Sequence, residues 1–200
     1  PGTTLTVRDS YLVDNDVVEG SGGAGGAFRI LGTATIETST VQSNHGDARG
    51  GGIFVAGSAT VVNSTLDLNS GDTGSAISVD VGGTLAVASS TIVGKSATIH
   101  PIERLGSMSL RNSILWNTTG GPICTVPLVT LGHNVASDAS CGLVGSGDAQ
   151  NTVPLLTTIA DNGGPTITRL PSVGSPAIGT GTCASQRDQR GILRPQGGAC

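Results

Sequence analysis

A six-residue pattern recurs down the first two-thirds of this chain. An apolar residue, two spacers, a Ser and a second apolar residue two places on read VRDSYL from Val7, IETSTV from Ile36, VVNSTL from Val61, VASSTI from Val87 and LRNSIL from Leu110. A sixth copy, LGHNVA from Leu131, has Asn134 in the Ser place. Successive copies lie 29, 25, 26, 23 and 21 residues apart. A period of roughly 20–30 residues with β-rich units is the signature of a solenoid. One such unit cannot bury its apolar side alone, so the units must stack.

The units are rich in Val, Ile, Thr, Leu and Ser, which favours strand. No ten-residue stretch keeps an apolar spacing of three and four, so no long helix is expected. The early units end in a glycine patch and a short apolar run: GGAGGAFRI from Gly22, GGGIFVAG from Gly50 and GSAISVDV from Gly74. Each unit therefore reads as strand, bend, loop, second strand and tight turn. This is one coil of a parallel β-helix, with coils about 4.8 Å apart and six of them spanning about 30 Å.

Two inward ladders are expected. One is Val7, Ile36, Val61, Val87, Leu110 and Leu131; the other is Leu12, Val41, Leu66, Ile92 and Leu115. They lie five positions apart, and odd parity on a straight strand would put them on opposite faces. The chain must therefore bend between them. Asp9, Thr38, Asn63, Ser89, Asn112 and His133 occupy the bend, and most are small polar turn formers. The Ser column should point inward just past it, with hydroxyls bonding along the stack. Asn15, Asn44 and Asn69 predict a short Asn ladder at a left-handed turn.

Two hundred residues suit one domain. Apolar content is only 36%, which a narrow core of small stacked side chains tolerates. Net charge is −4 and the aromatics are Tyr11, Phe28, Phe54 and Trp116. With no basic patch and little to stack on, nucleic acid is not an expected partner. No apolar run reaches the roughly 18 residues of a transmembrane helix. Pro1 opens almost directly on a strand, so the chain reads as a mature or trimmed fragment.

Cys124, Cys141, Cys183 and Cys200 fall in two pairs, each 17 apart. There is no CxxC, and His133 is the only histidine near them, so zinc is not expected. Three pairings of four cysteines exist; Cys124–Cys141 with Cys183–Cys200 is the most parsimonious. Disulfides imply an oxidising compartment, extracellular or periplasmic. The Asn63 and Asn117 sequons read as accidental in so Thr/Ser-rich a chain.

After Leu131 the repeat fades. Pro154, Pro165, Pro171 and Pro176 confine pairing to short pieces or edges, and a solenoid's last coil needs a cover. The expected organisation is coils over 1–137 and a capping segment over 138–200 of the same domain. The succession LGHNVASDASCGL, GDAQN, PLLTTIADNGGPTITRL, GSPAIG, Cys183, DQRG, RP and Cys200 resembles the C-terminal end of secreted bacterial proteins of the choice-of-anchor Q family. That resemblance covers roughly residues 105–200. It implies an all-β fold, a single right-handed parallel β-helix of the pectate-lyase-like type with a disulfide-tied, loop-rich C-terminal cap. It also implies a secreted or surface location, and it is specific for no activity. The family's cysteine-containing opening segment and its usual continuation past the last cysteine are absent from the sequence.

The fold also hosts polysaccharide lyases and hydrolases, which need clustered carboxylates or a Ca²⁺ site beside an Arg or Lys base. The candidate carboxylates are Asp14, Asp16, Glu19, Asp47, Asp67 and Asp72. Asp47 and Asp72 each lie eight residues after their Ser, so adjacent coils could bring them together, with Arg49 nearby. They are the candidates for a weak cation site or an acid pair; solvated loop charge is the competing reading. His45, His100 and His133 have no Ser or Cys nucleophile near them in sequence, so no triad can be argued. The glycine patches lack the helix and Lys of a phosphate loop and read as close coil packing. Asp188 and Arg190 read as an ion pair of the cap.

The resulting expectation is a non-catalytic extracellular structural or adhesion module of a bacterial cell surface or secreted assembly. One alternative is a polysaccharide lyase or glycoside hydrolase. Another is a subunit of an extracellular filament stacking through β-helix ends. No cofactor is expected, unless Ca²⁺ binds at the coil carboxylates. The expected partners are other chains at the N-terminal edge around Leu5, Val7 and Leu12, or envelope components.

Overall fold

The computed structural model describes residues 3–17, 23–183, 185–196 and 200. Pro1, Glu19 and Gly22, which carried parts of the expectations above, lie outside the described residues. Among those described there is no helix. The first coil is β1 (Thr4–Arg8), β2 (Tyr11–Val13), β3 (Asp16–Val17) and β4 (Phe28–Ile30). The second is β5 (Thr33–Glu37), β6 (Thr40–Gln42), β7 (His45–Arg49) and β8 (Ile53–Val55). The third is β9 (Ser58–Val62), β10 (Thr65–Asp67), β11 (Ser70–Thr73) and β12 (Ile77–Val79). The fourth is β13 (Thr84–Ala88), β14 (Thr91–Gly94) and β15 (Ile102–Arg104), and the fifth β16 (Ser107–Arg111) and β17 (Ile114–Asn117). β18 (Val129–Thr130) and β19 (Val135–Ala136) begin a further rung.

Equivalent strands pair in parallel. The first sheet runs β1-β5-β9-β13-β16-β18 and the second β2-β6-β10-β14-β17-β19; β3-β7-β11 and β4-β8-β12-β15 form the third and fourth. The chain is thus a parallel β-solenoid of about five turns. The sequence has six units, but the last supplies only two strands of two residues.

The second ladder pairs as the pattern requires: Leu12 beside Val41, then Leu66, Ile92 and Leu115, ending on Ala136. From Val41 onward every member is fully buried. Each large aliphatic side chain so buried contributes about 1.5–3 kcal/mol. The first ladder holds from Val7 through Ile36, Val61 and Val87 to Leu110. Its expected last member does not. Thr130, not Leu131, stands beside Leu110, and Leu131 is 62% exposed. One extra residue between strand and bend causes the slip: three positions separate Leu110 from Ser113, but four separate Thr130 from Asn134. Gly132 (φ 95°) and His133 (φ 59°) both turn left-handed to absorb it. Ile30, Ile53, Val55, Ile77, Val79 and Ile102 of the fourth sheet close the core from the remaining side.

The bend has one recurring backbone cause. Asp9, Thr38, Asn63, Ser89, Asn112 and His133 all have φ between 46° and 59°, the left-handed region in which an L-residue reverses the parity of its strand. Just past it, the Ser39 amide donates to Ser64 Oγ, and Ser64 and Ser90 continue to Ser90 and Ser113, each at 3.2 Å. The Ser39, Ser64, Ser90 and Ser113 hydroxyls donate back to the carbonyl two residues before. Asn134 takes the Ser place at 3.0 Å from the Ser113 amide. Asp148, unmarked in the repeat, ends the ladder by accepting from the Asn134 amide at 2.8 Å.

The Asn ladder forms too, with Asn15 Nδ2 on Asn44 Oδ1 at 2.7 Å and Asn44 Nδ2 on Asn69 Oδ1 at 3.0 Å. The left-handed residue there is the one before the Asn: Asp14, Ser43 and Leu68. At the glycine corner, a Cβ on Gly51 would run into the Ser70 carbonyl of the next coil. Close coil packing is therefore the work of that glycine.

Both disulfides join the local pairs, with Cα–Cα distances of 5.0 Å for Cys124–Cys141 and 5.5 Å for Cys183–Cys200. The segment from 138 onward divides into two parts. Residues 141–149 lie under the last rung: Leu128, His133 and Ala136 donate to the Cys141, Ser146 and Ala149 carbonyls. The later residues turn back and run along the flank of the rod as a strap. Its contacts climb from His133 and Asn112 to Asn63 and Thr38.

Candidate functional site

The strap meets the outward side of the second sheet. Outward columns there are Thr40, Thr65, Thr91 and Ile114, and Gln42, Asp67, Val93 and Trp116. A charge on a covered sheet face needs a partner. Asp67, fully buried, is bound by Arg169 through Nε to Oδ1 at 2.7 Å and Nη2 to Oδ2 at 3.2 Å. The Arg169 guanidinium also donates to the Thr157 carbonyl and lies 5.7 Å from the centre of the Trp116 ring. Among the described residues of the expected coil set, Asp67 is the one carboxylate in a buried pair.

A second anchor sits at the bend. Gln189 Nε2 donates to the Ser39 carbonyl and to the Thr40 and Thr166 hydroxyls, at 3.2, 2.9 and 2.9 Å. Its Oε1 accepts from Thr65 at 2.7 Å. Asp188 beside it holds Arg190 (Oδ2 to Nη2, 2.6 Å) and accepts the Arg190 and Ile192 amides, the ion pair the sequence suggested. Gly164 (φ 91°) comes so close to the Arg190 backbone that a Cβ there would lie 2.5 Å from its Cα. DNGGPT and DQRG therefore pack on each other and clamp the strap to the second and third coils. Burial pushes the Arg194 guanidinium below its usual value, with the Asp188 charge opposing and Arg190 adding to the shift. Arg194 donates to Asn63 Oδ1 at 3.3 Å. Tyr11 is pushed up by burial and then by the Asp14 and Asp67 carboxylates.

Below this clamp, strap and rod enclose a groove of about 460 Å³ lined by Ser89, Thr91, Ile114, His133, Thr168 and Arg190 among others. His133 is a bend residue whose Nδ1 lies 2.8 Å from the Thr180 carbonyl. His45 Nδ1 lies 3.0 Å from Ser70 Oγ on the next coil. Asn63 Nδ2 and Asn117 Nδ2, the sequon nitrogens, are buried and bonded to Ser185 Oγ and the Ser96 carbonyl.

The expected acid-pair candidates lie on the third sheet. Asp47 is on β7 and Asp72 on β11; these strands pair from Ser70 beside His45 but shift register between Gly71 and Thr73, so Arg49 stands beside Thr73. Arg49 leaves both aspartates and binds Asp80 at 3.0 Å, with Nε 3.7 Å from Glu103. Glu103 is buried and accepts from Ser78 Oγ at 2.6 Å and Thr73 Oγ1 at 3.1 Å. The sequence reading missed it. The signal was there: PIERLG repeats the IFV and ISV strands with Glu103 in the Phe54 and Ser78 column. Arg49, with its charge neutralised between two carboxylates, is spent on tying the third sheet to the fourth. Among the described residues no three His, Cys, Asp or Glu side chains converge as a metal site.

Comparison with known proteins finds no matching family model, no matching curated protein and no matching solved structure.

Proposed function

We propose that the chain is a non-catalytic structural or adhesion module of a bacterial cell surface or secreted assembly, allied to the choice-of-anchor Q proteins. The observation that carries this reading is where the polar side chains are spent. Asp67, Arg169, Gln189, Asp188 and the Ser column all bond within the rod or between rod and strap. The family-like motifs DNGGPT and DQRG are the two halves of the clamp, so they serve the fold. The two disulfides suit an oxidising, extracellular setting. A solenoid stapled in this way is a stiff spacer that presents its faces laterally.

The test is a polysaccharide panel of pectins, alginate and glycosaminoglycans, with and without Ca²⁺. No cleavage is expected. Reproducible cleavage that Asp47→Ala or Asp72→Ala abolishes would replace this reading with a lyase or hydrolase.

The first coil favours a second reading, a filament subunit stacking through its ends. Leu5, Tyr11 and Val13 are 46%, 45% and 37% exposed, whereas Ala34 in the Leu5 column of the second coil is 2% exposed. Among the described residues β1 pairs on one side only, with β5, and a β-edge with apolar flanks recruits another strand. Sedimentation should show concentration-dependent association that Leu5→Arg weakens. A monomer at high concentration leaves only the surface-module reading.

A further inference from the structure

The outward face of the first sheet repeats with a regularity the core does not need. Beside the inward ladders run three outward columns. The one at the bend is Arg8, Glu37, Val62, Ala88 and Arg111, with an Arg8–Glu37 ion pair at 3.1 Å. The other two are Thr4, Thr33, Ser58, Thr84 and Ser107, and Thr6, Thr35, Thr60, Ala86 and Ser109. Nine of these ten positions carry a hydroxyl, and none carries a charge. All are exposed or half-exposed. The hydroxyls of the inward Ser column each donate to a carbonyl. The outward nine make no side-chain hydrogen bond among the described residues. The strap covers the second sheet and, at Ser185 and Arg187, the bend edge of this face, where Ala88 is buried; the two hydroxyl columns stay exposed or half-exposed. The five-residue pairings of β1, β5, β9, β13 and β16 run without a register break, unlike those of β7 and β11.

The face is thus a two-dimensional array. Its rungs are about 4.8 Å apart, and its columns, two residues apart on a strand, are about 6.6 Å apart. An O–H···O length of about 2.75 Å with tetrahedral angles puts second-neighbour oxygens of ice about 4.5 Å apart, with a repeat of about 7.4 Å along the hexagonal axis. The rung mismatch of about 0.3 Å sums to only about 1 Å over five rungs. The column mismatch is larger, about 0.8 Å. Thr is stiff at χ1, and it fills both columns on the first two rungs (Thr4 with Thr6, Thr33 with Thr35); the later rungs combine Thr60 and Thr84 with Ser58, Ala86, Ser107 and Ser109. Water bridging two polar groups is nearly as good as a direct bond.

We propose that this face binds ice. Crystalline polysaccharide is the other regular hydroxylated surface of this size, but sugar faces stack on aromatic rings. Tyr11 and Trp116 stand on the second sheet and Phe28 and Phe54 on the fourth; the first has none. The proposal goes beyond the structural reading and can fail without it, since a rod that ignores ice is still a spacer.

The test uses the full 200-residue protein in three assays: partition into a slowly grown ice hemisphere, thermal hysteresis and inhibition of ice recrystallisation. Thr60→Tyr and Thr35→Lys break the middle of the array, and Val144→Tyr, far from it, is the control. Melting curves confirm that each variant folds. Wild type and Val144→Tyr should enter the ice and halt recrystallisation, and both array variants should lose most of that activity while melting near wild type. A wild type that stays in the liquid, or array variants that match it, would overturn the proposal. So would binding to cellulose or chitin powder without binding to ice, which would assign the face to polysaccharide.

Discussion

Rod and strap are held by opposite means. In the rod each side chain meets its own equivalent one coil away: Ile on Val, Ser on Ser, Asn on Asn. One left-handed residue per bend suffices for each of the five full coils. In the strap nothing repeats. Arg169 reaches Asp67 across 102 residues and Gln189 reaches Ser39 across 150. The rod therefore spreads its stability over many equivalent contacts, as nearest-neighbour solenoids do. The strap concentrates its own in a few buried polar groups, each costly to disturb.

The largest effect is expected where the rod is most uniform. Leu66→Asp buries an unpaired charge in the centre of a ladder and should cost several kcal/mol or prevent folding. Asp72→Ala, on an exposed strand position, should shift a melt by less than about 0.5 kcal/mol. Equal shifts for the two would break the assignment of the ladder.

The strap should respond to loss of one partner more than to loss of both. Arg169→Met leaves Asp67 charged and buried, and should cost about 3–5 kcal/mol. Replacing the pair together, Asp67→Leu with Arg169→Met, should recover most of that loss. Trp116, the only Trp and directly beneath Arg169, gives the readout. Its emission should change with the strap in the single variant, whereas the strand signal of the rod persists. If the double variant is as unstable as the single one, the pair is not the strap's anchor.

The same contrast sets what the sequence could show. Ladders, bends, the Ser and Asn columns and the local disulfides are periodic or short-range, so one chain displays each of them several times. The course of the strap is neither. Nothing near Arg169 in sequence points to Asp67, and nothing in DQRG points to Ser39. The one error inside the repeat, Leu131, arose where the period itself changed, at the residue inserted before His133. Asp148 was invisible for a related reason: it ends a column by imitating a Ser with a carboxylate, outside any copy of the motif. Glu103 was overlooked because its strand was not aligned with the earlier glycine-led runs.

The two disulfides divide along the same line. Cys124 and Cys141 are buried at the end of the rod, whereas Cys183 is exposed on the strap. Each closes a loop of 17 residues, worth about 3 kcal/mol to its own region. Mild reductant should therefore open Cys183–Cys200 first, which peptide mapping after alkylation would show, with Trp116 emission changing before strand content falls. Release of Cys124–Cys141 first, or of both together, would mean that rod and strap unfold as one unit.

The smallest expected effect is a gain. The residue before each Asn of the short ladder is left-handed, and Asp14 and Ser43 meet that with small polar side chains. Leu68, at φ 51°, does not. A branched apolar residue there carries the steric cost of about 1–2 kcal/mol that Asn avoids by bonding locally. Its side chain is only partly buried, so little packing is lost on replacement. Leu68→Asn should thus raise stability by roughly 0.5–1 kcal/mol, within the range of other backbone-compatible substitutions, and leave the Trp116 signal of the strap unchanged. A thermal melt shifted downward would show that Leu68 contributes packing its exposure does not reveal. The bend rule would then hold for the first two coils and fail at the third.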